Sequence, residues 1–308
     1  MAQDMVPRDA TPQDSMLQET VVSETVAQHT TWQCGDFVFP VQGPDAHPLV
    51  MGILNVTPDS FSDGGTHNAP ADALAYAGLM LEHGADIIDV GGESTRPGSD
   101  EVLPDEEARR VLPVVQELAR RGVCVSVDTR HAQVARACVE AGAAIVNDVS
   151  GFRDSEMVQV AAGCDAGLVV MHMLGEPKTM QAEPHYDDVI AEVSAYLVRQ
   201  ARMLESAGVA HNRICIDPGV GFGKTTDHNL QLLRVTDRLA ALGYPLMVAV
   251  SRKRFIGALT DVDDAAQRVA GSVAAAAYAV EHGAVVARVH DVAQTVQAFR
   301  MFTAILRA

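Results

Sequence analysis

Val123-Cys124-Val125-Ser126-Val127 is a short apolar run that stops at Asp128, and Ala143-Ala144-Ile145-Val146 is a second that stops at Asn147-Asp148. Between them, His131 to Glu140 has helical spacing and Gly142 follows as a stop signal. Two short, mainly apolar runs flanking a helical stretch read as buried parallel strands joined by a crossover helix. The unit recurs in both directions. Upstream, Val50-Met51-Gly52-Ile53-Leu54 ends at Asn55, and Ile87-Ile88-Asp89-Val90 ends in Gly91-Gly92-Glu93-Ser94-Thr95-Arg96. Downstream, Gly167-Leu168-Val169-Val170-Met171 ends at His172 and Ile214-Cys215-Ile216 ends at Asp217. The last two runs are Val248-Ala249-Val250, ending at Ser251-Arg252-Lys253, and Val285-Val286-Ala287, ending in Arg288-Val289-His290.

The gaps carry helical spacing: Ala71 to His83, Pro104 to Gly122, Asp154 to Ala162, Tyr186 to Ala207, Asn229 to Leu242, Asp264 to His282 and Val292 to Leu306. Gly84, Gly122, Gly142, Gly163, Gly208, Gly243 and Gly283 punctuate them at fairly even spacing. Eight strands alternating with eight helices predict a single (β/α)8 TIM barrel over residues 31–308, with Trp32 to Val41 as a β-hairpin at its floor. An open Rossmann sheet is the runner-up, but no GxGxxG follows the first strand. Gly219-Val220-Gly221-Phe222-Gly223-Lys224 fits neither that spacing nor a P-loop, and reads as a turn that brings backbone close to a ligand. Residues 1–30, with Asp4, Asp9, Asp14, Glu19 and Glu24 against a single Arg8, read as an acidic, flexible extension.

The formal net charge of −17 argues against a nucleic-acid partner. The five cysteines show no CxxC spacing and their number is odd, so reduced core thiols are expected. No run approaches the roughly 18 apolar residues of a membrane span. The first residues lack a signal-peptide pattern, and a cytoplasmic protein is expected.

Polar groups at the same end of many barrel strands read as one site. Asp128, Asn147 and Asp217 suit a flat heterocycle with several N–H and C=O groups, because a carboxylate accepts two N–H bonds from an aminopyrimidinone edge. Taken singly, each reads as a helix cap; three at equivalent strand ends read as a site. Lys253, Arg288 and His290 supply cationic groups where many barrels hold phosphate, and Thr95 and Arg96 add to them. Surface charge is the plainer reading for Arg252 and Arg254, and it fits poorly for Arg288, which interrupts an apolar strand. Asn55 opens the polar loop Val56 to Gly65, and its amide oxygen suits Mg2+ whose other positions hold water and phosphate. Asp59 and Asp63 in that loop also fit Asx turns. His172 stays outside the catalytic set. Neither a nucleophile elbow nor HExxH occurs.

The stretches Gly52 to Gly65 (GILNVTPDSFSDGG) and Gly84 to Gly98 (GADIIDVGGESTRPG) resemble the two signatures of the dihydropteroate synthase family. Asp217 to Lys224, Ser251-Arg252-Lys253 and Arg288 to Val292 match it as well, so the resemblance runs from about Pro48 to the C-terminus. It implies a pterin-binding TIM barrel, a homodimer, and a transferase of folate biosynthesis that sulfonamides target. The implied reaction joins (7,8-dihydropterin-6-yl)methyl diphosphate to 4-aminobenzoate, giving 7,8-dihydropteroate and diphosphate. Asp128, Asn147, Asp217 and Lys253 would bind the pterin, with Arg288 stacked on its ring. Asn55, Arg96, Arg288 and His290 would hold diphosphate, with Mg2+ at Asn55. Thr95, Pro97, Phe222 and Lys253 would flank the aminobenzoate, and Asp63 and Thr95 would sit on two closing loops beside Lys253 as the catalytic set. Arg254 stands where some members carry a small hydroxyl residue, so either a side chain or a backbone N–H would meet the aminobenzoate carboxylate.

Two other functions compete. A methyltransferase barrel that uses a methylated folate would not need the Asn55 loop, Arg96 and His290. A non-catalytic binding protein would have lost Asp128, Lys253 or Arg288, and all three are present.

Overall fold

Alternate residues along each strand do two different jobs, and this alternation places the site. A computed structural model describes residues 30–57, 69–93, 102–176, 178–306 and 308. The barrel strands are β3 (Leu49–Asn55), β4 (Ile87–Gly91), β5 (Val125–Asp128), β6 (Ile145–Asp148), β7 (Gly167–Met171), β8 (Ile214–Asp217), β9 (Met247–Val248) and β10 (Val286–Val289). All ladders between them are parallel, in the order β8-β7-β6-β5-β4-β3-β10-β9. A parallel bridge from Ile216 to Leu246 carries β8 back to β9 and closes the ring. The predicted barrel is therefore the observed one.

Val50, Leu54, Ile88, Val90, Val125, Val127, Val146, Leu168, Val170, Ile214, Ile216, Val248, Ala287 and Val289 point outward into one apolar cluster with the helices. The opposite parity begins as apolar floor: Leu49, Met51, Ile87, Cys124, Ile145, Val169, Cys215, Met247 and Val286 form a second cluster. Toward the C-terminal ends the same parity turns polar, with Asn55, Asp89, Ser126, Asp128, Asn147, Asp217, Arg288 and His290. A two-residue period thus builds a dry floor and a polar mouth from the same strands.

The floor is plugged as expected. Strands β1 (Thr31–Cys34) and β2 (Phe37–Pro40) pair antiparallel, Trp32 is fully buried in the floor cluster, and its indole Nε1 donates to the Arg213 carbonyl at 3.1 Å. Residues 1–29 lie outside the described residues. All five cysteines are free thiols. No helix among the described residues is long and apolar enough to cross a membrane.

The outer ring holds α1 (Ala69–Glu82), α2 (Pro104–Arg120), α3 (Ala132–Glu140), α4 (Ser155–Ala162) and α5 (Val189–Ser206). It continues with α6 (Thr226–Arg234), α7 (Thr236–Ala240), α8 (Arg254–Thr260), α9 (Val269–Glu281) and α10 (Val292–Leu306). Two expectations need correction, since eight helices were predicted and ten occur among the described residues. The stretch Asn229 to Leu242 is not one helix: it breaks at Val235 (φ −108°, ψ 27°), where the Thr236 hydroxyl donates to the Leu233 carbonyl at 2.6 Å. Helix α8 was not foreseen; it directly follows Lys253 and ends at Asp261, which takes a left-handed φ of 54°.

Candidate active site

The mouth is organised around one guanidinium. Arg288, on β10, donates from Nε to Asp89 Oδ2 at 2.6 Å and from Nη2 to Asp128 Oδ2 at 2.6 Å. Asn147 Nδ2 donates to the same Asp89 oxygen at 3.3 Å. Four strands, β4, β5, β6 and β10, thus meet in one network of charge-assisted hydrogen bonds, the strong kind. Burial works against the Arg288 charge, but Asp89 and Asp128 hold it protonated well above the usual range. Burial likewise pushes Asp128 up to about 7; Arg288 opposes this, while Asp89, Glu107 and Asp148 add to it.

Asp89 was not among the expected site residues, yet it is fully buried and touches two of them. Its neighbour on β6 shows the opposite case. Asp148 faces away from the mouth and accepts from the Ser150 and Phe152 amides at 2.7 Å, so it shapes a turn. Asp128 is not a helix cap either; the Thr129 hydroxyl accepts from the His131 amide at 3.1 Å instead.

Inside the mouth, Asp89 Oδ1, Asp128 Oδ1, Asn147 Oδ1 and Asp217 Oδ2 are buried oxygens with no hydrogen-bond partner among the described residues. Buried acceptors left unpaired are costly, about 1–3 kcal/mol each, so they mark where a ligand's donors belong. This demand comes from acceptors on β4, β5, β6 and β8, and it fits a heterocycle rich in N–H groups.

A second wall rises from the turn after β8. Asp217 Oδ1 accepts from the Gly219 amide at 2.7 Å, and burial raises its carboxyl above the usual range, against the pull of Lys253. Lys253 donates to the Val220 carbonyl and lies 4.5 Å above the Phe222 ring, a cation–π contact. The ring packs on Val149, Met171, Met173 and Met180. Gly221 has φ +86°, and a Cβ there would come within 2.8 Å of Lys253 Cδ, so the lysine reaches across bare backbone. Burial lowers the Lys253 ammonium to about 8; Asp217 resists this, and Arg288 assists it.

The remaining residues fall as follows. Asn55 ends β3 in register with Gly91, at the rim. His290 meets Ser251 twice, through its amide and through Nδ1, each at 3.1 Å from the hydroxyl oxygen. Arg252 is not solvated surface charge as expected: it forks onto Asp291 from Nε at 3.0 Å and Nη2 at 2.5 Å, with φ +60°. Arg254 is exposed at the start of α8. Asp59, Asp63, Thr95, Arg96 and Pro97 lie outside the described residues.

Among the described residues, Glu93, Glu107 and His131 bring ligand-type atoms within 4.8 Å of one another. Arg130 already spans both Glu93 oxygens at 3.1 Å, and His131 Nδ1 lies 2.7 Å from Glu107. The group acts as a charge clasp beside the end of β4.

Comparison with known proteins agrees with this geometry. Residues 51–290 match the model of the pterin binding enzyme family. The chain is 49% identical over 264 residues to the dihydropteroate synthase of Escherichia coli K12, covering 85% of this chain and 93% of that one. The Xanthomonas albilineans dihydropteroate synthase structure with 4-aminobenzoic acid superposes with a TM-score of 0.85 at 45% identity, over 91% of this chain and 99% of that one. The same organism's enzyme in complex with 7,8-dihydropteroate gives a TM-score of 0.82 at 43% identity, over 90% and 99%. A polar barrel mouth whose unpaired acceptors suit a pterin, on a chain this similar from end to end of those enzymes, places the protein in the dihydropteroate synthase family.

Proposed function

We propose that this mouth catalyses the family's reaction by dissociative substitution, without a covalent enzyme intermediate. The transferase activity is the joining of (7,8-dihydropterin-6-yl)methyl diphosphate to 4-aminobenzoate, which yields 7,8-dihydropteroate and diphosphate. The bond from the exocyclic carbon to diphosphate breaks, the amine nitrogen bonds to that carbon, and the nitrogen loses a proton. The observation that carries the reading is the set of unpaired buried acceptors on Asp128, Asn147 and Asp217.

The pterin's N–H edge meets these acceptors, and the Arg288 guanidinium forms one wall of its slot. Positive charge grows on the exocyclic carbon as diphosphate departs. The buried carboxylates of Asp89, Asp128 and Asp217 favour that charge in a water-poor site. Arg288 and His290 face the departing diphosphate. Phe222 and Lys253 flank the aminobenzoate, and sulfonamides compete for that place. Asp63, Thr95, Arg96 and Pro97 complete the set through the family resemblance.

The residues present fit Mg2+ at Asn55. A Cβ on Gly91 would lie 3.8 Å from Asn55 Oδ1, so this hard oxygen overlooks bare backbone at the rim, while the neighbouring Asp128 Oδ2 is taken by Arg288. A few protein oxygens, with water and phosphate filling the remaining positions, is the arrangement Mg2+ favours. When bound, the ion would neutralise charge on the leaving diphosphate. We further assign the protein to the cytoplasm as a homodimer, with residues 1–30 as an appendage to the barrel.

A coupled diphosphate-release assay with the pterin diphosphate tests the reading. Release that depends on both 4-aminobenzoate and Mg2+ is expected. Folded protein that shows no amine-dependent release, or a pterin–protein adduct trapped during turnover, would overturn it.

A further inference from the structure

Two buried groups have no part in this chemistry. Lys224 is the last residue of the glycine-rich turn, and His172, 52 residues earlier, directly follows β7. Both are buried, and they meet beneath the wall that carries Phe222.

The carbonyls of this turn are held by side chains, one after another. Gly219 O and Phe222 O each accept from Lys224 Nζ at 3.0 Å. Val220 O accepts from Lys253, Gly221 O from Gln181 Nε2 at 2.6 Å, and Gly223 O from the Tyr186 hydroxyl at 2.8 Å. Five consecutive carbonyls are therefore tied without a ladder or helix. The lysine ammonium has three N–H bonds and three partners within 3.0 Å: the two carbonyls and His172 Nδ1 at 2.9 Å.

That count fixes the imidazole. Burial lowers the Lys224 ammonium to about 7, against the pull of Asp217; in its charged form it can only donate, so His172 Nδ1 accepts and the ring is neutral with its proton on Nε2. Burial and the Lys224 charge agree, holding His172 down at about 3. The turn is also pressed against β7. Gly219 has φ +64°, and a Cβ there would fall 1.8 Å from the His172 carbonyl. The backbones of the two loops are in contact at that point, and Lys224 is the bolt between them.

We propose that Lys224, seated on neutral His172, is a positioning residue that sets the aminobenzoate wall. It ties the turn from behind while Lys253 ties it from the front, and together they fix the Phe222 ring and the Val220 carbonyl. The proposal rests on the transferase reading above. It divides the site into halves with separate supports: Asp89 and Arg288 for the pterin, Lys224 and His172 for the amine.

Steady-state kinetics for the wild type, Lys224→Met, His172→Leu and His172→Asn test it, with each substrate varied in turn. Losing charged hydrogen bonds of this kind corresponds to a factor of about 10–100. Lys224→Met and His172→Leu should therefore raise the KM for 4-aminobenzoate about 10- to 100-fold, while the KM for the pterin diphosphate moves less than about 3-fold. His172→Asn places an amide oxygen near the former Nδ1 and should recover most of the loss seen with His172→Leu. Equal changes in both KM values, a fall in kcat alone, or no rescue by asparagine would overturn the proposal. If Lys224→Met does not fold, the two His172 variants decide the matter. Wild-type protein without amine-dependent turnover would instead remove the transferase reading, and this proposal with it.

Discussion

Replacing Asp89 by Asn probes the centre of the pterin half. The substitution keeps the volume and an acceptor oxygen but removes the charge from a fully buried position. Two contacts are weakened, the 2.6 Å bond from Arg288 Nε and the 3.3 Å bond from Asn147 Nδ2. Arg288 keeps its 2.6 Å bond to Asp128, so the guanidinium is not orphaned and the barrel should fold. Hydrogen bonds to charged groups are worth about 1.5–3 kcal/mol. Losing that much support for Arg288 and Asn147 predicts a fall of about 10- to 150-fold in kcat/KM for the pterin diphosphate. The KM for 4-aminobenzoate should change little, because neither Phe222 nor Lys253 touches Asp89. The pH profile adds a second signature. Asp89 helps to push Asp128 up, so its removal lets the Asp128 carboxyl fall and moves the acid limb of kcat/KM to lower pH. Coupled diphosphate release against pH provides both numbers. A folded Asp89→Asn enzyme with kcat/KM within twofold of wild type and an unmoved acid limb would refute the reasoning.

Three further outcomes are expected. In the wild type, kcat/KM should be bell-shaped: it falls below about 7 as Asp128 gains a proton and can no longer accept two N–H bonds, and it falls above about 8 as Lys253 loses its charge. A profile flat from about pH 6 to 9 would contradict both assignments. Gly221→Ala puts a side chain at φ +86° and 2.8 Å from Lys253 Cδ; strain of about 1–2 kcal/mol together with a displaced lysine should raise the aminobenzoate KM by at least about tenfold, measured by varying the amine. Trp32→Ala removes a fully buried ring from the floor and should lower unfolding stability by about 3–5 kcal/mol in a urea titration, with both KM values unchanged because the mouth lies at the other end of the strands.

The barrel was legible because each strand is an apolar run that halts at a polar residue, and the halts fall at one end. Asp128, Asn147, Asp217 and Arg288 could be picked out for that reason. Asp89 could not, because it sits inside its run, and a strand buried on both faces does not advertise which parity looks inward. The turn at Val235 was hidden by apolar spacing that continues through it, with neither glycine nor proline to mark the break. Helix α8 spans seven residues, too few for a periodic signal. The role of His172 depended on a lysine 52 positions away, which only the folded chain brings to 2.9 Å. Only the family signatures pointed to Pro97 and to a catalytic role for Asp63.

The central claim is that one barrel mouth holds both substrates and joins them directly. Mass-spectrometric detection of the product, run beside diphosphate release on the purified chain, tests this most directly. The account predicts 7,8-dihydropteroate and diphosphate in equal amounts from the wild type, and greatly slowed formation of both by a folded Lys253→Ala variant. Diphosphate without dihydropteroate, or a Lys253→Ala enzyme as fast as wild type, would contradict it.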